Sequence, residues 1–288
     1  MAKIDVIQGS PEWHEYRRKK IGGSSAPTIM GLNRFQTAHE LWEEMVGLRE
    51  PQKENEAMRE GKRLEPIARK IVEEGRGIVF PEEVHDLGKY PHIYCSYDGI
   101  NHETEEILEI KSSVWFYSQA EKTLVPESVN CQIQHGLMVA GYSKGIFAAC
   151  HPQTEKVITI GVERDNEFIA AMFEKELEFY ECVTTFREPK LTDADYLNMQ
   201  GNDEWKLEKF IFEKFKEEKE RIEKSLEASR NRLASLAGNR NARGHGLTLT
   251  KVLTKGRVKY DDIPALQRID LDLFRGDPTT SFRLTVGK

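Results

Sequence analysis

No run of about 18 apolar residues occurs anywhere in the chain, so nothing in it reads as a membrane-spanning helix. CxxC pairs are missing too. Cys95, Cys131, Cys150 and Cys182 stand far apart, which argues against a zinc ribbon or an iron–sulfur cluster and leaves each as a small hydrophobe. The opening residues, MAKIDVIQGS, lack an apolar signal segment, and with so few cysteines the expectation is a reduced, cytoplasmic protein. An overall basic surplus is absent as well: the formal net charge is −6, which taken alone speaks mildly against a nucleic-acid partner. Binding to phosphates depends on a local patch, however, and charge here is uneven. Residues 238–260 contain Arg240, Arg243, Lys251, Lys255, Arg257 and Lys259 and no acid. What is present is enough for a core: 39% of the 288 residues are hydrophobic, a length that allows one large domain, or one domain with an extension.

Hydrophobic periodicity divides the chain. Residues 38–47 and 54–74 have the pattern of amphipathic helices, then 78–112 changes to short β-like runs, IVF at 78–80, HIYCSY at 92–97 and ILEIKS at 107–112. Asp98-Gly99 between the last two is a turn signal. A helix is expected over 126–140, opening on Pro126. GIFAAC (145–150) and KVITIGV (156–162) suggest a strand hairpin. A further helix covers 165–182, with Phe168, Met172, Phe173, Leu177 and Tyr180 on one stripe. This order implies a mixed α/β domain over 1–187. Residues 188–237 form a helical extension, with one long helix or a helix pair over 203–236. Residues 238–288 form a basic linker with a small β-like tail, HGLTLTKVL, GRVKYDDI and SFRLTV.

The chemistry concentrates at Asp98–Lys111. Side chains alternate along a strand, so Glu109 and Lys111 emerge on one face while Leu108 and Ile110 take the other. If the two strands pair through the 99–106 loop, Asp98 comes to lie beside Glu109. Two carboxylates and a lysine are the minimal set for metal-assisted phosphodiester hydrolysis, because hard carboxylate oxygens hold Mg²⁺ and the lysine orients water or neutralises charge. The motif is weak by itself. Acid-x-Lys occurs five times, at Glu60, Glu109, Glu188, Glu204 and Glu217, and an exposed ion pair is the ordinary explanation. Only Glu109-Ile110-Lys111 lies in an apolar strand.

Three further motifs accompany it. Glu65-Pro66 places an acid beside a proline inside a helical run, either a kink between two short helices or a third carboxylate for the metal. Arg17 followed by Gly22-Gly23-Ser24-Ser25 offers a bidentate phosphate contact, close backbone approach and hydroxyls, and is equally a turn opening a helix near 25–31. In Asn130-Cys131-Gln132-Ile133-Gln134, helical spacing puts Gln132 and Gln134 on different faces, so at most one of them faces the site.

Taken in order, Arg…GGSS, GxxxEP, SxDG, ExK and QxQ over residues 10–185 resemble the lambda-type phage exonucleases, or YqaJ-like viral recombinases, of the PD-(D/E)XK nuclease superfamily. The resemblance implies a restriction-endonuclease-like fold with a central mixed sheet flanked by helices. It implies Glu65, Asp98 and Glu109 as ligands of Mg²⁺ (Mn²⁺ able to substitute, two ions per site), with the Ile110 carbonyl completing the shell, and Lys111 as the catalytic lysine. Arg17, Ser24 and Ser96 match the family's pocket for a 5′-phosphate, and one of Gln132 and Gln134 its helix glutamine. The implied activity is 5′-to-3′ digestion of one strand of linear double-stranded DNA, leaving a 3′ overhang for a single-strand annealing protein. The implied assembly is a trimeric ring in a bacterial cytoplasm, encoded by a phage or prophage. Residues after 187 lie outside this pattern, with the six cations of 238–260 as candidate contacts to the DNA backbone. Two other readings stand beside it: a structure- or sequence-specific endonuclease on the same fold, for which no 5′-phosphate pocket is needed, and a non-catalytic DNA-end or single-strand binding protein using the basic tail.

Overall fold

From the amino end the chain runs through β1 (Ala2–Ile4), α1 (Pro11–Tyr16), α2 (Ala26–Ile29), α3 (Ala38–Val46) and α4 (Glu56–Arg76). Then come β2 (Glu83–Leu87), β3 (Tyr90–Tyr97), β4 (Gly99–Asn101), β5 (Glu106–Ser112), α5 (Val114–Glu121), α6 (Glu127–Ala140), β6 (Lys144–Cys150), β7 (Val157–Glu163) and α7 (Asn166–Thr184). This computed structural model describes residues 2–51, 53–256, 258–259, 262–266, 269, 274 and 276. The chain divides into two compact units, Met1–Asn198 and Met199–Lys288.

The first unit is mixed α/β. Its strands form two ladders, β1-β2-β3, all antiparallel, and β4-β5-β6-β7, in which β5 and β6 run parallel and the other pairs antiparallel. Alternation along β5 decides what covers each face. Ile107 packs in the cluster that holds Ile133 and Leu137 of α6, while Leu108 and Ile110 pack with Leu64, Ala68 and Val72 of α4. The sheet is therefore covered by helices on both faces, the architecture expected from the motif order.

Several local expectations are corrected. Residues 78–80 are not a strand: Phe80 is a fully buried plug against α4, its amide donating to the Glu73 carboxylate at 2.7 Å. The strand comes later, at Glu83–Leu87, where His85 and Asp86 are buried polar residues that hide the apolar alternation. Asp98-Gly99 is not a hairpin turn. Asp98 interrupts an extended path from β3 into β4, and Gly99 is needed because a Cβ there would lie 2.6 Å from Phe80 Cβ. The helix expected over 54–74 is Glu56–Arg76, capped by Asn55, and it runs through Pro66 as one helix rather than two short ones. Helix α5 was not anticipated; Ser113 caps it by accepting from the Phe116 amide at 3.0 Å. On α7 the buried apolar stripe is Ile169, Met172, Phe179, Cys182 and Val183, with Phe168, Phe173, Leu177 and Tyr180 only partly buried around it.

In the second unit α8 (Asp203–Leu236) is one helix of 34 residues, roughly 50 Å long. Asn202 caps it by accepting from the Trp205 amide at 2.8 Å, and none of its residues is buried. A short hairpin follows, β8 (Ala242–Gly244) with β9 (Leu247–Leu249). Arg240, Arg243, Lys251, Lys255 and Lys259 are exposed. Arg257 and the strand expected at SFRLTV lie outside the described residues.

Candidate active site

Asp98 and Glu109 meet because the β4–β5 ladder pairs Gly99 with Leu108, which sets Asp98 opposite Glu109 one step further along. Asp98 continues the pairing through its side chain: its Oδ2 accepts from the Ile110 amide at 2.7 Å. Glu109 is buried and Lys111 half-buried, and the Lys111 Nζ lies 2.7 Å from Glu109 Oε1. Glu65 approaches from α4. Its carboxylate lies 3.0 Å from Arg69, one helical turn on, and Arg69 also bonds Glu82, at the entrance to β2.

Electrostatics binds these groups into one site. Burial raises the Asp98 pKa well above the usual carboxylate range, Glu109 and Glu65 push it further, and Lys111 and the Ile110 amide only partly oppose them. The Glu65 pKa is raised as well, by burial and then by Glu82 and Glu109, against the pull of Arg69. Burial by itself would lower the Lys111 pKa, but Glu109, Asp98 and Glu65 outweigh it and the net direction is up. Lys111 is thus an ammonium group at neutral pH, suited to donating hydrogen bonds rather than abstracting a proton. The surplus negative charge and the all-oxygen donor set of Glu65, Asp98 and Glu109 fit a hard divalent cation. Their oxygens do not all lie within 4.8 Å of one another, since each carboxylate is held by its own partner.

A groove of about 650 Å³ opens beside Lys111, lined also by Ser24, Arg34, Phe35, Trp115 and Gln132. Gln132 and Gln134 separate here. Gln134 is buried, donates to the Glu163 carbonyl and accepts from the Asp165 amide, both at 2.8 Å, and so ties α6 to the end of β7. Only Gln132 lines the groove. Phe35 and Trp115 are exposed, at 78% and 46%, unusual for large aromatics, and the Arg34 guanidinium lies 4.6 Å and 5.6 Å from their ring centres.

Arg17 and Ser96 share one partner, Trp13, while Ser24 lines the groove. Ile21 bridges to Ile93 of β3, and Gly22 then passes the Tyr94 ring, where a Cβ would lie 2.7 Å from it. Ser24 is exposed to the groove. Beneath the loop, fully buried His135 points Nδ1 at Glu176 and Nε2 at the Tyr94 carbonyl, each at 2.8 Å. Trp13 donates its Nε1–H to Ser96 Oγ at 2.8 Å and carries Arg17 over its ring at 4.3 Å. Trp13 is therefore the scaffold for two of the three residues, a role that no motif in the sequence signals. Arg69 and Glu82 were missed as well, although Arg69 follows Glu65 at the i,i+4 spacing that pairs charges on a helix.

Residues 12–143 match the family described as the YqaJ-like viral recombinase domain. The matched stretch includes every member of the site from Arg17 to Gln134, so the resemblance read from motif order holds over it. A curated relative, the uncharacterized protein YqaJ of Bacillus subtilis (strain 168), is 34% identical over 175 residues, 59% of this chain and 54% of its own. The chain thus spans about half the length of that relative. Among solved structures, an alkaline exonuclease (LHK-Exo) from Laribacter hongkongensis is similar at a TM-score of 0.55 and 22% identity, covering 62% of this chain and 94% of its own. The same enzyme in complex with dAMP is similar at a TM-score of 0.55 and 20% identity, with the same coverage. At these identities the likeness establishes a shared fold. Among the described residues no helix is long and apolar enough to cross a membrane.

Proposed function

We propose that the protein is a divalent-metal-dependent exonuclease that digests the 5′-ended strand of linear duplex DNA. The observation that carries the proposal is the electrostatic coupling of Glu65, Asp98, Glu109 and Lys111, with Lys111 opening onto a groove lined by Arg34, Phe35 and Trp115. The YqaJ-like match and the fold shared with an alkaline exonuclease support it.

Glu65, Asp98 and Glu109 would hold Mg²⁺, two ions in the family's arrangement and with Mn²⁺ able to substitute, and the Ile110 carbonyl would complete the shell. Such ions lower the pKa of the attacking water and stabilise charge on the phosphate. The chain's own part follows from its geometry. Lys111, kept charged by Glu109 and Asp98, donates to the attacking water or to a phosphoryl oxygen. Gln132 offers an amide to the same groove. Arg17, fixed over Trp13, presents a guanidinium fork to a terminal phosphate, with the Ser24 and Ser96 hydroxyls as further donors. Phe35 and Trp115 give flat apolar faces on which unpaired bases stack, and Arg34 a cation for the backbone. The family resemblance carries two further parts of the proposal, a trimeric ring and delivery of the 3′ overhang to a single-strand annealing protein.

Polarity and the phosphate pocket are tested together. Linear duplex is labelled at one 5′ or one 3′ end, with a 5′-phosphate or a 5′-hydroxyl, and digested by wild type and by Arg17→Ala. Wild type should shorten the 5′-ended strand and prefer the phosphorylated end, because a terminal phosphate carries more charge than an internal diester. Arg17→Ala should lose the preference. Internal cuts would favour an endonuclease, and equal rates on both ends would take Arg17 and Ser24 out of end recognition.

A further inference from the structure

On β2, Glu83 follows Glu82, the residue that reaches Arg69, so strand alternation sends its side chain the other way. There it meets two histidines from separate parts of the chain. His85 Nε2 lies 2.6 Å, and His102 Nε2 3.0 Å, from the same oxygen, Glu83 Oε2. The ligand atoms of the three residues all lie within 4.8 Å of one another, the one such group among the described residues. The two imidazole rings stack with centroids 5.8 Å apart. His102, in the turn between β4 and β5, is aimed by its other nitrogen, Nδ1, which lies 2.7 Å from the Tyr142 hydroxyl. Lys3 of β1 takes the second oxygen, Glu83 Oε1, at 2.6 Å.

We propose that Glu83, His85 and His102 form a second metal site that takes a borderline transition-metal ion, Zn²⁺ above all, and is distinct from the carboxylate centre of Glu65, Asp98 and Glu109. Two imidazole nitrogens and one carboxylate oxygen are a donor set that zinc accepts with a fourth position open. A ligating histidine ordinarily has its other nitrogen fixed by a hydrogen bond, the part Tyr142 plays for His102. On metal loading His102 keeps one proton, on Nδ1, where the Tyr142 oxygen accepts it, and its Nε2 lone pair turns to the ion. Because Lys3 occupies only Oε1, Oε2 is left for the metal. The ion clips β2 to the β4–β5 turn, on either side of the strand break at Asp98. The ordinary alternative is a hydrogen-bonded cluster in which Glu83 simply accepts from the two imidazoles and from Lys3.

The two centres differ in chemistry, and the experiment uses that difference. Full-length protein is titrated with Zn²⁺ in millimolar Mg²⁺, which competes for an all-oxygen centre and hardly for imidazole nitrogen. Bound metal is counted after gel filtration, and Co²⁺ is used in parallel for its visible absorption. The expected result is one equivalent of Zn²⁺ bound in the presence of Mg²⁺, with intense tetrahedral-type Co²⁺ bands. Both are lost in His102→Ala and in His102→Gln. His102→Gln retains hydrogen-bonding groups toward Glu83 and Tyr142 while removing the imidazole, so it separates ligation from hydrogen bonding. The melting temperature of wild type should rise with Zn²⁺ and that of the variants should not, which also reports that the variants fold. Absence of the Mg²⁺-resistant equivalent in wild type, or its retention in both His102 variants, overturns the proposal.

Discussion

Asp98 carries the heaviest electrostatic load in the site. Its carboxyl is crowded by Glu109 and Glu65, and only Lys111 and the Ile110 amide favour its charged form. Its pKa, and that of Glu65, are higher in the folded than in the unfolded chain. A raised carboxyl contributes stability that is complete below the unfolded value, about 4, and that disappears as pH rises through the folded value. In chelator, the melting temperature should therefore fall as pH climbs above the ordinary carboxylate range, and divalent metal should restore it. Asp98→Asn should remove most of that fall. At neutral pH it should raise the melting temperature of the metal-free protein, while abolishing hydrolysis. Thermal melts of both proteins across pH check this, and parallel curves would show that the carboxylates do not strain one another. Asp98, Glu109 and Lys111 were legible in the sequence because strand alternation and one hairpin register suffice to bring them together. Trp13 was not, since nothing local indicates that its indole will meet Ser96, 83 residues away.

Helix α6 shows what an element adds to its residues. Two glutamines two positions apart cannot share a face, so the helix assigns them different work. Gln134 satisfies the Asp165 amide and the Glu163 carbonyl. Gln134→Ala should cost about 1–3 kcal/mol of stability by leaving buried groups unpaired, with little change in turnover once the protein is folded. Gln132→Ala should do the reverse, lowering turnover with stability nearly unchanged. Denaturant melts and single-turnover rates on the two variants separate the roles, and equal effects on stability would contradict the assignment. Elements with a clean apolar period, such as β5, β6 and α6, were legible for the same reason. β2 was not, because His85 and Asp86 fill buried positions, where Glu83 partners His85 and the Gly88 amide and the distant Tyr16 hydroxyl partner Asp86. Asp98-Gly99 misled for a related reason: its glycine serves close packing against Phe80 rather than a turn.

At the scale of the whole molecule, every residue assigned to chemistry lies in the unit Met1–Asn198. The exposed cations Arg240, Arg243, Lys251, Lys255 and Lys259 belong to the other. Truncation after Asn198 should leave a folded nuclease that cuts short duplexes at a comparable rate but binds long duplex more weakly. Its affinity should also fall less steeply with salt, because fewer phosphate contacts release fewer counterions. Binding curves for full-length and truncated Lys111→Ala protein at several salt concentrations measure both, and coincident curves would take the basic segment away from DNA. The central claim, that Glu65, Asp98, Glu109 and Lys111 hydrolyse DNA from its ends, is tested most directly by digesting linear and closed circular plasmid side by side. The digestion is run in Mg²⁺ and in EDTA, with wild type and Lys111→Ala. The account predicts loss of the linear form alone, in Mg²⁺ alone, and a fall of about 10²-fold or more in rate for Lys111→Ala with duplex binding retained. Digestion that persists in EDTA, that consumes the circle equally, or that survives Lys111→Ala at wild-type rate would contradict it.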